Sequence, residues 1–174
     1  MVELIINQLK KLTMNRIKFI IVGVLLSLTI FTSCLKSGLY DLPAFTDANI
    51  NNIYFEYRYQ DPSSTWIDGT AIVKNVTLVV VTKNIDASAN TVTVTVEVPA
   101  ASGTFTTDER AKVALTNLVC TTDISTAAKI EPVNGAPLLG RPGDFSAPRN
   151  YLVTAADGKT SKTWTITVTA LNNP

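Results

Sequence analysis

The sequence predicts an all-β chain, an immunoglobulin-like β-sandwich of about seven strands behind an N-terminal signal peptide. Three observations predict it. Apolar and polar residues alternate with period two in several short runs, most regularly at 91–98 and 164–170. Turn-forming clusters such as Asp61-Pro62-Ser63-Ser64 and Asp157-Gly158 separate those runs. Thr and Val crowd the runs, and charged residues make up only 17% of the chain, a composition suited to pleated, half-buried surfaces.

The leader comes first. Residues 14–33 read MNRIKFIIVGVLLSLTIFTS: Arg16 and Lys18 precede an apolar run from Phe19 to Phe31 that is too short to span a bilayer comfortably and has the length of a signal-peptide core. Translation is expected to begin at Met14, with residues 1–13 either a misassigned start or an extension. The run closes on Phe31-Thr32-Ser33-Cys34, which resembles the lipobox of bacterial lipoproteins, with Phe31 in place of the usual Leu. The resemblance implies cleavage before Cys34, acylation of its sulfur and anchoring to the outer membrane, surface-exposed or periplasm-facing. A plain secreted protein or an uncleaved anchor is the alternative. Residues 34–48 are then the lipidated cysteine and its tether, and 49–174 the sandwich.

Each run is then assigned. Ile50–Gln60 places Ile53, Phe55, Tyr57 and Tyr59 on one face, with Tyr54, Glu56, Arg58 and Gln60 on the other, and is expected to stop at Asp61-Pro62. Trp66 follows in a loop beside Asp68-Gly69. Ala71–Thr82 has Val76, Leu78 and Val80 on one face and Val79 and Val81 on the other, which reads as a central strand covered on both sides. Asn84–Asn90 is expected to be a turn. Asn90–Val98 alternates four inward valines with Thr and Glu, and Pro99 ends it; Ala100–Asp108 reads as a small-residue loop. Lys112–Thr121 fits either helical spacing or a strand whose phase slips at Asn117, and the β neighbourhood favours a bulged strand. Ala128–Pro132 pairs briefly, and the Gly- and Pro-rich stretch 135–149 crosses over. The final hairpin turns at Asp157-Gly158, and its second strand places Trp164, Ile166, Val168 and Ala170 on one face.

Composition excludes several chemistries. The chain has no histidine and two cysteines, Cys34 and Cys120, which removes Ser/His/Asp and Cys/His nucleophilic arrangements and the usual zinc sets. A Cys34–Cys120 disulfide is compatible with export, but lipidation gives Cys34 another role and leaves Cys120 as a small buried hydrophobe. Four of the fifteen basic residues and one of the fourteen acidic residues precede Cys34, leaving eleven against thirteen. That mildly acidic balance argues against a nucleic-acid partner.

The segment 127–170, with KIEPVNG and then PGDFSAPRNYLVTAADGKTSKTWTITVTA, resembles the immunoglobulin-like domains of Bacteroidetes lipoproteins of the DUF5018 type. Asp144, Phe145, Ser146, Pro148, Tyr151, Val153–Ala155, Asp157, Gly158, Trp164, Ile166 and Val168 match its closing pattern. The resemblance implies a scaffold encoded beside glycan-uptake systems and transfers no catalytic residue.

Candidate sites follow from what sugars require: an aromatic face for the apolar side of a pyranose and polar groups for its hydroxyls. Trp66 with Asp68 is the first candidate, and Tyr54 with Glu56 and Arg58 the second. The bland alternative has Trp66 folded over the core and Tyr54 covering an edge. Asp108 and Glu109 are too few for calcium and read as a solvated turn. The expectation is a non-catalytic, lipid-anchored envelope protein without cofactor or metal. It holds the membrane through Cys34 and has a polysaccharide or an envelope protein as its partner.

Overall fold

A computed structural model describes residues 43–173, within the unit Pro43–Pro174. The leader, Cys34 and the first part of the tether lie outside the described residues. The unit is an immunoglobulin-like sandwich of nine described strands: β1 (Ile50–Thr65), β2 (Ala71–Thr77), β3 (Val79–Asp86), β4 (Thr91–Glu97), β5 (Leu118–Ile124), β6 (Lys129–Val133), β7 (Pro142–Gly143), β8 (Arg149–Thr154) and β9 (Ser161–Asn172). One sheet runs β2-β1-β5-β7 and the other β3-β4-β9-β8-β6. All neighbours are antiparallel except β4 and β9, which run parallel.

The core lies between the sheets and is built from the alternating residues the sequence indicates. Ile53, Phe55, Tyr57 and Tyr59 of β1 face Val92, Val94 and Val96 of β4 and Trp164 and Ile166 of β9, all buried. The phenol of Tyr151 donates to the Pro137 carbonyl at 2.9 Å, and the Trp164 indole N–H donates to the Ala48 carbonyl at 2.9 Å. Both rings bury a large apolar area, and each polar tip finds the backbone partner that burial demands. Asp144 accepts from the amide and hydroxyl of Ser146, closing an Asx turn before β8.

Several elements differ from expectation. β1 continues through Asp61-Pro62 to Thr65; its pairing with β2 is irregular between Gln60 and Thr65, which accommodates a proline that has no N–H to donate. The run 71–82 is not one central strand. It leaves the first sheet after Thr77 and joins the second at Val79, with Leu78 buried at the crossing, so β2 and β3 are edge strands and Val73, Val79 and Val81 face solvent. β3 continues to Asp86, leaving a shorter turn that ends at Asn90, whose φ of 54° is left-handed.

In place of a bulged strand from Lys112, a 3-10 turn occupies Leu115–Asn117 and β5 starts at Leu118. Asn117 accepts from the Ala114 amide through its side chain, and this accounts for the phase slip. The small-residue loop holds a Ser102–Phe105 bridge, buries Phe105, and leads into the short helix α1 (Thr107–Arg110), capped by Thr106. Asp108 and Glu109 therefore lie in a helical turn rather than an open one, and Glu109 accepts from the Tyr57 hydroxyl at 2.8 Å. In β9 the pairing with β4 shifts after Val168, so Leu171 packs against the core while Ala170 is half-buried.

The edge strands share a device. Lys74 of β2 stands opposite Tyr59, and Lys83 of β3 opposite Val94, both inward-facing partners, so each edge carries a lysine on its core side. Lys74 reaches Asp61 at 2.6 Å and Thr104 at 3.2 Å. Lys83 bonds the Asn52 side chain across the flank that β2 does not cover. β3 also breaks register between Val80 and Thr82. Inward charges and bulges both hinder a further strand from pairing with an edge.

Candidate functional site

The β1–β2 hairpin ends in Trp66-Ile67-Asp68-Gly69. The Trp66 amide donates to the Thr70 carbonyl at 2.8 Å, the Gly69 amide donates to the Trp66 carbonyl, and Gly69 takes the left-handed φ of 83° that the turn needs. The bracing leaves the ring outside. Trp66 is 63% exposed and Ile67 wholly so, and with Asp68 they line a shallow open hollow. The Asp68 carboxylate accepts from the Thr70 amide at 2.9 Å, and that bond holds its pKa below the usual carboxylate range. The tip offers an indole face and an aliphatic side chain, while one oxygen of its carboxylate braces the turn.

Tyr54 is exposed on the outer face of β1, but its hydroxyl donates to Asp123 at 2.8 Å and accepts from Asn52 at 2.6 Å. The bond to Asp123 raises its pKa. Glu56 and Arg58 bind each other at 2.6 Å, with Asn75 and the Gly140 carbonyl taking further bonds. Twelve positions of strand separate Tyr54 from Trp66, about 40 Å at ~3.3 Å per residue. The two candidates are separate places, and only the tip keeps an unencumbered aromatic face.

Two other hollows went unseen in the sequence. One, lined by Glu97, Val98, Ala100, Ala101, Thr107 and Arg110, holds a guanidinium that already donates to the Pro99 and Val98 carbonyls. The other lies at the N-terminal end of β1 and is lined by Phe45, Asp47, Asn49, Asn51, Ser125 and Thr126. Its two halves are 76 residues apart and consist of residue types that carry no motif.

Cys120 is fully buried, and burial pushes its thiol pKa up, so it is inert as a nucleophile. Among the described residues no group of three His, Cys, Asp or Glu side chains comes together, and no helix is long and apolar enough to cross a membrane. Cys34 lies outside the described residues.

The family model described as DUF5018-related matches residues 50–167. A crystal structure of a Bacteroides fragilis protein assigned as secreted is 41% identical, with a TM-score of 0.67, over 75% of this chain and 99% of that one. A Bacteroides thetaiotaomicron structure assigned as a glycoside hydrolase is 21% identical, with a TM-score of 0.40, over 75% of this chain and 27% of that one; a likeness so distant transfers no chemistry. No curated protein matches the chain.

Proposed function

The chain belongs to the DUF5018-related family, and from that premise we propose that it is a non-catalytic, lipid-anchored envelope protein that binds or presents glycan through the Trp66 tip. The exposed indole carries this reading: a tryptophan 63% open to solvent on a braced hairpin offers a sugar face without a change of shape. The secreted assignment of the Bacteroides fragilis relative agrees with an exported chain. Anchoring at Cys34 in the outer membrane rests on the lipobox resemblance. Trp66 stands at the far end of β1 from the Phe45 end, roughly 50 Å along the strand, a placement suited to presentation.

Non-catalysis is supported by how most of the described carboxylates are used. Glu56, Asp61, Asp68, Asp86, Glu109, Asp144 and Asp157 are each engaged by a cation, a hydroxyl or a turn amide. Glycoside hydrolysis requires two opposed carboxyls flanking a cleft. Contact with an envelope protein through a sheet edge is the weaker reading, because Lys74, Lys83 and the β3 irregularity guard the longest open edges.

Two measurements test the proposal. Calorimetry of the full chain against soluble host and plant polysaccharides should find weak binding that Trp66→Ala weakens further without lowering the melting temperature; a panel with no binder overturns the glycan reading. Labelled palmitate should enter the parent and not Cys34→Ala, and equal incorporation overturns the anchor.

A further inference from the structure

At the opposite end of β1 from the tip, several side chains that line one hollow keep polar groups uncommitted among the described residues. Asp68 commits one carboxylate oxygen to its turn and the Tyr54 hydroxyl both donates and accepts, whereas the side chains of Asp47, Asn51 and Thr126 make no hydrogen bond among the described residues. Asn49 uses only its Oδ1, which accepts from Lys162 at 2.8 Å, and so keeps both amide N–H donors. Phe45 stands beside them 59% exposed.

The frame beneath these groups is fixed. The Asn49 amide donates to the Ser125 hydroxyl at 2.9 Å, and the Ser125 amide returns a bond to the Asn49 carbonyl at 3.0 Å. The carbonyl of Ala48, between Phe45 and Asn49, takes the buried Trp164 indole N–H, and the Phe45 carbonyl takes the Asp157 amide at 3.2 Å. A hollow whose backbone is tied to two other strands keeps its shape without a ligand, which lowers the entropic cost of binding.

From this geometry we infer that the hollow binds a single neutral sugar residue, its ring resting on Phe45 and its hydroxyls exchanging hydrogen bonds with Asp47, Asn49, Asn51 and Thr126. The inference rests on the glycan reading and adds a second subsite to it. Chemistry selects the class. Hydroxyls both donate and accept, matching a carboxylate that only accepts, amides that do both and a hydroxyl. One carboxylate and one ammonium already bound to Asn49 leave no cationic surplus for a sulfated or phosphorylated glycan. A single carboxylate is too few for a divalent cation. The hollow measures ≈ 270 Å³, below the 300–1,000 Å³ typical of drug-sized ligands, so it suits one ring and not an enclosed oligosaccharide.

The test uses the full chain in lauryldimethylamine oxide, a detergent without a sugar headgroup, titrated with glucose, galactose, mannose and N-acetylglucosamine and with the methyl glycosides of each. The side-chain amide signals of Asn49 and Asn51 should shift on saturation by at least one sugar, and Phe45→Ala or Asn51→Ala should weaken that binding about tenfold or more. Trp66→Ala should leave it unchanged. Both substituted side chains lie at the surface, and an unaltered melting temperature confirms that the variants are folded. Binding that responds to Trp66→Ala but not to Phe45→Ala or Asn51→Ala overturns the second subsite and leaves the glycan reading standing. Absence of any shift with every sugar overturns the subsite, and the separate polysaccharide calorimetry then decides the glycan reading alone.

Discussion

The indole nitrogen of Trp164 lies 2.9 Å from the carbonyl oxygen of Ala48, a bond across 116 residues that ties β9 to the segment entering β1. Trp164 is fully buried, so Trp164→Phe leaves that carbonyl without its donor and the core short of volume. A loss of about 1–3 kcal/mol is expected for the orphaned carbonyl, and about 3–5 kcal/mol for Trp164→Ala. Urea unfolding followed by far-UV circular dichroism reads both.

Pro137 is pinned from two sides. Its carbonyl accepts the Tyr151 phenol, and a β-carbon at Gly143 would lie 2.3 Å from the Pro137 β-carbon. Gly143→Ala should therefore push the crossing segment away from β5 at a cost of about 1–3 kcal/mol, whereas Tyr151→Phe, which removes only the bond, should cost about 1 kcal/mol. A larger loss for Tyr151→Phe than for Gly143→Ala, in the same unfolding assay, would show that the phenol and not the close packing holds the segment.

Asp61 is buried, and its carboxylate is held well below the usual range by Lys74 and then by the Ser63 hydroxyl and amide. Its folded pKa lies below that of the unfolded chain, so the stability it contributes is present above about pH 4, the unfolded value, and is lost as pH falls further. Asp68, Asp86, Asp144 and Asp157, each held down chiefly by turn hydrogen bonds, act in the same direction. The parent should lose more stability between pH 7 and pH 3 than Asp61→Asn does, measured by urea midpoints. Equal losses would mean that the Asp61–Lys74 pair is not part of the acid transition.

Lys74 and Lys83 protect the two edges that meet at Leu78. With both replaced by valine, the exposed Val73, Val79 and Val81 should flank a continuous apolar edge, and the chain should self-associate at concentrations where the parent does not. Light scattering after size exclusion checks this, and a double variant with the parent's mass would rule out the guarding role.

The sequence made the core strands legible because Val92–Val98 and Trp164–Val168 alternate without interruption. The change of sheet at Leu78 was not legible for the same reason. Both sheets face one core, so Val76, Leu78 and Val80 keep period two across the crossing and look like one strand. Apolar residues on the other side, Val79 and Val81, then suggested burial that an edge does not supply. Trp66 was found as an exposed aromatic in a turn, but that Asp68 and Tyr54 spend their polar groups locally depends on the register. The Phe45 hollow was hidden further still, since Ser125 joins Asn49 only after β5 pairs with β1.

The parallel pairing of β4 with β9 has a consequence for the export proposed above. β9 is the middle strand of the five-stranded sheet, and its partner β4 is encoded some seventy residues earlier. A chain threaded through a membrane from its N-terminus delivers β3 and β4 with no neighbour for the inner edge of β4, and Ala48 without its indole donor, until residues 161–172 have passed. Contacts of such sequence separation form slowly. If the chain is exported as proposed, the five-stranded sheet closes only in a late step, which leaves the valine-rich β4 in need of shelter until the last strand arrives.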